Sequence, residues 1–370
     1  MPIWELANSN LKSLVPYEPG KPIDDVAREL GLNPSDIIKL ASNENPLGPS
    51  PKAREAMLQA AGKMHIYPDG GSFHLRNAIA ERLGIDRSQI ILGNGSNEII
   101  EFVYHAFTRR NETSAVASRY AFAVYKLMAE LFGVEFIEAP DLNLHHDLDA
   151  IRKAIRPDTR LVFLANPNNP TGTRIPDKDL ENFLRSLPKT TVAVLDEAYY
   201  EFLDNPPPTL DWVREGLNLV VLRTFSKIQG LAGLRIGYGI STPEITEVLQ
   251  RCRQPFNING MAQAGALAAL RDTDHEKKTK ALIFAGRRRL ENFARESGLR
   301  YEPSFANFVL IEVGDGHAVF QSLLKRGVIV RSMKSYGLPA WIRVSIGTES
   351  EMEKFERELR QVLANAPVHA

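Results

Sequence analysis

Lys227 stands in Thr224-Phe225-Ser226-Lys227, just after the apolar run Leu219-Val220-Val221-Leu222 and eight residues before Arg235. The run reads as a buried strand. A lysine at a strand's end can form a Schiff base with an aldehyde cofactor. The hydroxyls of Thr224 and Ser226 and the guanidinium of Arg235 suit a phosphate on the same molecule. A lysine in isolation is ordinary surface charge, so the reading depends on whether the chain supplies the remaining parts of such a site.

Those parts fall at other strand ends, where open parallel sheets bind their ligands. Asp196 ends the run Val192-Ala193-Val194-Leu195. Taken alone it is equally a helix cap. The functional reading is a carboxylate beside a pyridine nitrogen, because pyridoxal phosphate (PLP) draws electrons only while that nitrogen stays protonated. A carboxylate ~4 Å away at an effective dielectric of roughly 20 supplies about 4 kcal/mol, or some three pKa units. Tyr199 can hydrogen-bond the cofactor's phenolic oxygen, or is a packed aromatic. Asn166-Pro167-Asn168-Asn169-Pro170-Thr171-Gly172 follows the strand at 161–164. Its prolines and glycine make a rigid loop, from which Asn169 can reach the same oxygen.

Gly93-Asn94-Gly95-Ser96-Asn97-Glu98 joins a strand to a helix. Glycines and free N–H groups at a helix N-terminus bind phosphate, with Ser96 and Asn97 as first-turn contacts. A dinucleotide fingerprint is discounted, because Glu98 replaces its third glycine and Glu112 precedes the next strand instead of ending it. Tyr120 follows the strand at 115–117 and either stacks on a flat ring or packs in the core. Arg343, inside Trp341-Ile342-Arg343-Val344-Ser345, is suited to a bidentate grip on a carboxylate. Arg331, after Val328-Ile329-Val330, is a candidate for a second anion. No metal is called for.

The elements that must position these residues are legible as a pattern. From about residue 71, helices alternate with short apolar strands. Ser72 is expected to cap a helix carrying Leu75, Ile79 and Leu83. Strands are expected at 90–92, 115–117, 134–137, 161–164, 192–195 and 219–222. Helices are expected between them. Buried strands separated by helices make a mostly parallel sheet covered on both faces. After about residue 255 come helices at 261–270 and 275–296, strands at 308–311, 328–330 and 341–344, and a last helix over 350–364. The fold class is α/β, with a larger domain at 41–257 and a smaller α+β domain at 258–370. Residues 1–40 read as an arm on the smaller domain or on a neighbouring chain.

Composition narrows the function. The chain has 370 residues, 44% hydrophobic and 24% charged, with Lys+Arg and Asp+Glu both 45. Zero net charge and no long basic stretch argue against nucleic acid or an anionic membrane as partner. No apolar run approaches the ~20 residues that span a bilayer. The N-terminus lacks a secretory pattern. Cys252, the one cysteine, fits a reducing compartment. A cytoplasmic protein acting on small molecules is expected.

These residues together resemble the fold-type I PLP enzymes of the aspartate aminotransferase superfamily, and within it the histidinol-phosphate aminotransferase family. The resemblance is carried by Leu14–Gly20, Leu40–Pro51, Tyr67-Pro68-Asp69-Gly70, Asn169–Gly172, Asp196-Glu197-Ala198-Tyr199, Ser226–Arg235 and Arg343–Gly347. It implies transamination between L-histidinol phosphate and 2-oxoglutarate, with relatives that act on aromatic amino acids or decarboxylate threonine phosphate. It implies a homodimer with shared active sites, in which Tyr67 reaches the partner's cofactor phosphate. Tyr17 and Arg331 are implied to meet the substrate phosphate, and Asn45 and Arg343 also to bind substrate. Gln229 and Arg119 depart from the pattern, and both are expected near the site.

Overall fold

The structure, a computed structural model, describes residues 2–12, 14–17 and 20–365. Glu18 and Pro19, within one segment that carries the resemblance, lie outside the described residues, as do Met1 and Ser13 of the expected arm and residues 366–370.

In chain order the strands are β1 (Ile38–Lys39), β2 (Ile90–Gly93), β3 (Ser114–Ser118), β4 (Glu135–Ala139), β5 (Thr159–Ala165), β6 (Val192–Asp196) and β7 (Leu219–Thr224). Then come β8 (Gly237–Ile240), β9 (Tyr301–Glu302), β10 (Phe308–Glu312), β11 (Val328–Ile329), β12 (Arg331–Ser332) and β13 (Trp341–Ser345). Seven of them form one sheet in the order β2-β8-β7-β6-β5-β3-β4. Only β8 runs antiparallel to its neighbours.

The continuous apolar runs serve two cores at once. Alternate residues of a strand face opposite sides of its sheet. Val162, Leu164, Ala193, Leu195, Leu219 and Val221 therefore enter one core. Their neighbours Leu161, Phe163, Val192, Val194, Val220 and Leu222 enter the other. Each fully buried Leu, Ile, Val or Phe contributes about 1.5–3 kcal/mol relative to exposure. The sheet is thus fixed from both faces, and its strand ends are firm platforms.

A second sheet, β12-β13-β10-β9, is antiparallel and packs on helices Thr273–Glu296 and Glu349–Ala364. The chain just past the expected division at 257/258 still packs on the large sheet. Helix Gly260–Leu270 sends Ala262, Ala266, Ala269 and Leu270 into the core of the large sheet. The second core first draws on the helices from Ile283 onward. The expected arm is also divided. Val26, Ala27 and Ile37 pack with Leu324 and Ile329 of the smaller sheet's region. Asn10, by contrast, donates from Nδ2 to Glu130 O on the large sheet's side.

Ser72 does not cap its helix. It is left-handed (φ 47°) and gives no capping bond; Asp69 accepts from the N–H groups of Gly71 and Phe73 in its place. Strand β8 went unexpected because Gly237 and Gly239 blank its pattern. They are there for close approach. A Cβ on Gly237 would lie 2.5 Å from Ser96 N, and one on Gly239 would lie 2.9 Å from Ile91 Cγ2. The absence of those side chains lets helix Ser96–Phe107 settle on the sheet. Among the described residues, no helix is long and apolar enough to cross a membrane.

Candidate active site

The carboxyl ends of the large sheet and the edge of the small one enclose a cavity of about 270 Å³. That is near the lower end for small-molecule sites, roughly 300–1,000 Å³. Ser96, Asn97, Asn169, Asp196, Tyr199, Thr224, Ser226, Lys227, Arg235, Tyr17, Arg331 and Arg343 all line it. The sequence-predicted residues therefore converge from the ends of four strands of the large sheet, from β12 and β13, and from the N-terminal segment.

Lys227 Nζ donates to the carbonyls of Ser42 at 3.4 Å and Asn43 at 3.3 Å. It lies 5.6 Å from the Tyr199 ring centre. Burial, followed by the charges of Arg343 and Arg235, pulls its pKa down to about 8, against the opposing pull of Glu44 and Asp196. At an ordinary pKa of 10.5 only about 0.1% of the amine is neutral at pH 7.5; at about 8, roughly a quarter is. The cavity thus makes the lysine a nucleophile near neutral pH.

Asp196 is 5% exposed. Its Oδ2 accepts from the Tyr125 hydroxyl at 2.8 Å and its Oδ1 from the Ala198 N–H at 3.1 Å. Burial raises its pKa, against these hydrogen bonds and Lys227. No arginine or lysine pairs with it among the described residues. A buried carboxylate facing a cavity without its own cation suits a ligand that brings one. Tyr199 is held by Asn43 Nδ2, which donates to its hydroxyl at 2.9 Å. Burial pushes that phenol up to about 12, so it stays a neutral donor.

The anion end is built from backbone. Gly95 is left-handed (φ 76°) and precedes helix Ser96–Phe107, whose first N–H groups have no partner within the helix. The Arg235 guanidinium lies against it: a Cβ on Gly95 would sit 2.6 Å from Arg235 Nη2. Thr224 Oγ1 accepts from Ser226 N–H at 3.0 Å, which fixes the turn into Lys227. A cradle of glycine, helix N-terminus, hydroxyls and arginine fits a phosphate. Together with Lys227 and Asp196 it fits pyridoxal phosphate.

Opposite stands Arg343, buried on β13. Its Nη1 donates to Asn169 Oδ1 and its Nη2 to Ala41 O at 2.7 Å, while its buried Nε has no partner among the described residues. Asn169 therefore holds Arg343 in this structure, and the same side chain was expected on the cofactor's phenolic oxygen. Arg331 lies with its guanidinium carbon 5.9 Å from the Tyr17 ring centre. Tyr17, Arg331 and Phe122 also line a larger, more apolar groove of about 890 Å³ that adjoins the cavity.

Two expected residues are not brought in. Tyr120 packs against Leu310, Met333 and Trp341, with its N–H on Asp141 Oδ2 at 2.9 Å. Phe122, two residues on, lines the cavity in its place. Asn45 turns away, donating to Ile228 O at 2.8 Å and Thr279 Oγ1 at 3.2 Å. Asn43 lines the cavity instead. Tyr67, implied to serve a partner's site and not its own, is 81% exposed and stacked on Phe256. Of the two departures, Arg119 lines only the adjoining groove, and Gln229 is buried and lines neither. Asn43 is the main residue that sequence reasoning missed. It is left-handed (φ 54°), a conformation asparagine tolerates. It bonds Tyr199, Ser345 and Asn307, and its carbonyl receives Lys227.

A family model described as aminotransferase class I and II matches residues 35–359, and the chain belongs to that family. It is 50% identical over 98% of its length to the whole of a histidinol-phosphate aminotransferase from Akkermansia muciniphila. It is 46% identical over 97% of its length to histidinol-phosphate aminotransferase 2 of Nitrosospira multiformis, covering 92% of that protein. A crystal structure of histidinol-phosphate aminotransferase from Sinorhizobium meliloti in complex with pyridoxal-5′-phosphate superposes with a TM-score of 0.89 at 29% identity, covering 97% of both chains.

Proposed function

We propose that this protein is a PLP-dependent transaminase that moves the amino group of L-histidinol phosphate to 2-oxoglutarate, in histidine biosynthesis. The observation that carries the reading is the pair of arginines on the small sheet. Arg343 and Arg331 sit opposite each other across β12 and β13 and both line the cavity that holds Lys227. One suits the carboxylate of 2-oxoglutarate. The other, beside Tyr17, suits a phosphate ester.

Bound here, pyridoxal phosphate supplies an electron sink and carries the amino group between the two half-reactions. The chain's own residues do the rest. Ser96, Asn97, Thr224, Ser226 and Arg235 would hold the phosphate. Asp196 would keep a proton on the ring nitrogen, and Tyr199, set by Asn43, would donate to the phenolic oxygen. Lys227 would hold the cofactor through Nζ, and its amine is placed to move the proton at the substrate's α-carbon. Phe122 lines the same cavity and would lie beside the ring.

The protein is further proposed to be a cytoplasmic homodimer. Leu58, Met64, Ile66, Tyr67, Phe73 and Phe256 are exposed large apolar side chains within a short stretch of sequence and its packing partner, and exposed apolar side chains grouped in this way suit a subunit interface. Tyr67 would then serve the neighbouring active site.

The test is a half-reaction without acceptor, following the visible absorbance of the lysine-linked cofactor. L-Histidinol phosphate is expected to convert it rapidly, with L-phenylalanine and O-phospho-L-threonine much slower. Comparable conversion by phenylalanine would move the assignment to an aromatic aminotransferase. Carbon dioxide released from phosphothreonine would move it to a decarboxylase. In Arg331→Ala, kcat/KM for histidinol phosphate is expected to fall about 10–100-fold, the cost of one charge-assisted contact. Phenylalanine turnover should change by less than about threefold. Equal losses on both substrates would remove Arg331 from the phosphate site.

A further inference from the structure

Glu98 occupies the place where a dinucleotide loop carries its third glycine, and the cofactor site as described has no use for it. In the structure its side chain folds back out of helix Ser96–Phe107. Oε2 accepts from the backbone N–H of Asn94 at 2.6 Å and from Asn257 Nδ2, also at 2.6 Å. Asn257 is itself fixed, accepting from Arg253 Nη1 at 3.0 Å. A carboxylate one turn from an anion-binding helix end repels the anion that the end attracts. Its charge suits the helix dipole but opposes a bound phosphate, so whatever it gives the phosphate site is geometric.

We propose that Glu98 is a positioning residue. It holds the Asn94–Asn97 turn in its phosphate-binding shape at some electrostatic cost to phosphate affinity. The turn needs holding. Gly95 is left-handed and lies under the Arg235 guanidinium, and Ser96 N rests on Gly237 with no room to spare. Asn94 is exposed, so without Glu98 its N–H would pass to water and the turn could relax. Glu98 takes the N–H just outside the helix, one position beyond the usual capping box, and leaves the first helical N–H groups for the ligand. It also ties the turn to the segment carrying Phe256, on which Tyr67 stacks.

Both bonds end on one oxygen. The single carbonyl oxygen of glutamine can accept both, without the charge. The proposal therefore predicts effects of different kinds for two variants at one position. Glu98→Ala should weaken pyridoxal phosphate binding about tenfold or more, the loss of two charge-assisted hydrogen bonds. Glu98→Gln should bind as tightly as the unaltered chain or up to about tenfold tighter.

The inference rests on the PLP reading above, and the experiment separates the two. The full chain, freed of cofactor, is titrated with pyridoxal 5′-phosphate and, separately, with pyridoxal, which lacks the phosphate. Visible absorbance gives each dissociation constant. The expected result is a loss in Glu98→Ala, none in Glu98→Gln, and both confined to the phosphorylated aldehyde. Equal losses in the two variants, no change in either, or an equal loss for pyridoxal would each overturn the positioning role. An unaltered chain that binds neither aldehyde would instead end the PLP reading, and this inference with it.

Discussion

In Lys227→Ala, transamination is expected to fall by about four orders of magnitude, the upper end for loss of a positioned acid–base group. The absorbance band of the lysine-linked cofactor should be missing from the purified protein. Folding should be intact, because Nζ makes only two long hydrogen bonds, to the Ser42 and Asn43 carbonyls. Lys227→Arg is the sharper control. It keeps the positive charge among the same carbonyls, yet a guanidinium does not release its proton at any working pH. Arginine should therefore be as inactive as alanine. Activity within tenfold of the unaltered chain in either variant would exclude Lys227 as the residue that holds the cofactor and moves the proton. The pH dependence follows from the same cavity. Since burial and the two arginines bring the amine to about pKa 8, the rate of cofactor capture by the cofactor-free protein should rise with pH through about 8 and then level. A lysine at its ordinary value would still be gaining above pH 10.

How much of this site could be read from the chain depends on how local its determinants are. Lys227, Asp196 and Asn169 were legible because each follows a continuous apolar run. Such a run identifies a strand buried on both faces, and residues beyond its carboxyl end face the ligand. Strand β8 was not legible, since Gly237 and Gly239 are explained only by a helix pressing on them from elsewhere in the chain. Asn43 was missed for a related reason. Its orientation is set by Ser345, 302 residues away, and by Tyr199. Nothing within its own segment distinguishes it from Asn45, which bonds the opposite way. The exchange of Tyr120 for Phe122 is finer still. Both are aromatic and both follow β3. Asp141, at the end of the neighbouring connection, accepts the Tyr120 N–H and commits that ring to the small sheet. The packing of helix Gly260–Leu270 on the large sheet was not legible because the helix is rich in alanine, whose small side chains leave no strong periodicity to say which core they enter.

Asp196→Asn is expected to lower kcat by about a thousandfold while leaving the fold in place. The two effects separate because the hydrogen bonds of Asp196 are adaptable and its charge is not. An asparagine can keep its oxygen toward the Ala198 N–H and present its amide to Tyr125. The Tyr125 hydroxyl, which now donates, can rotate and accept. The packing of Tyr125 on Phe163, with ring centres 4.7 Å apart, is untouched. What disappears is a buried negative charge, and burial without a cation beside it raises that carboxyl's pKa. A cation on the ligand relieves that burial, and in return the carboxylate holds the ligand's proton with about 4 kcal/mol at an effective dielectric of roughly 20, or about three decades. The check is a pH profile as well as a rate. With the carboxylate gone, residual activity should increase toward acid, where solvent can protonate the ring nitrogen. The thermal midpoint of the cofactor-free protein should not fall, since an unpaired buried charge has been removed. A thousandfold loss accompanied by a large drop in that midpoint would assign Asp196 to the scaffold, and a loss below about tenfold would leave the ring nitrogen without a partner in this cavity.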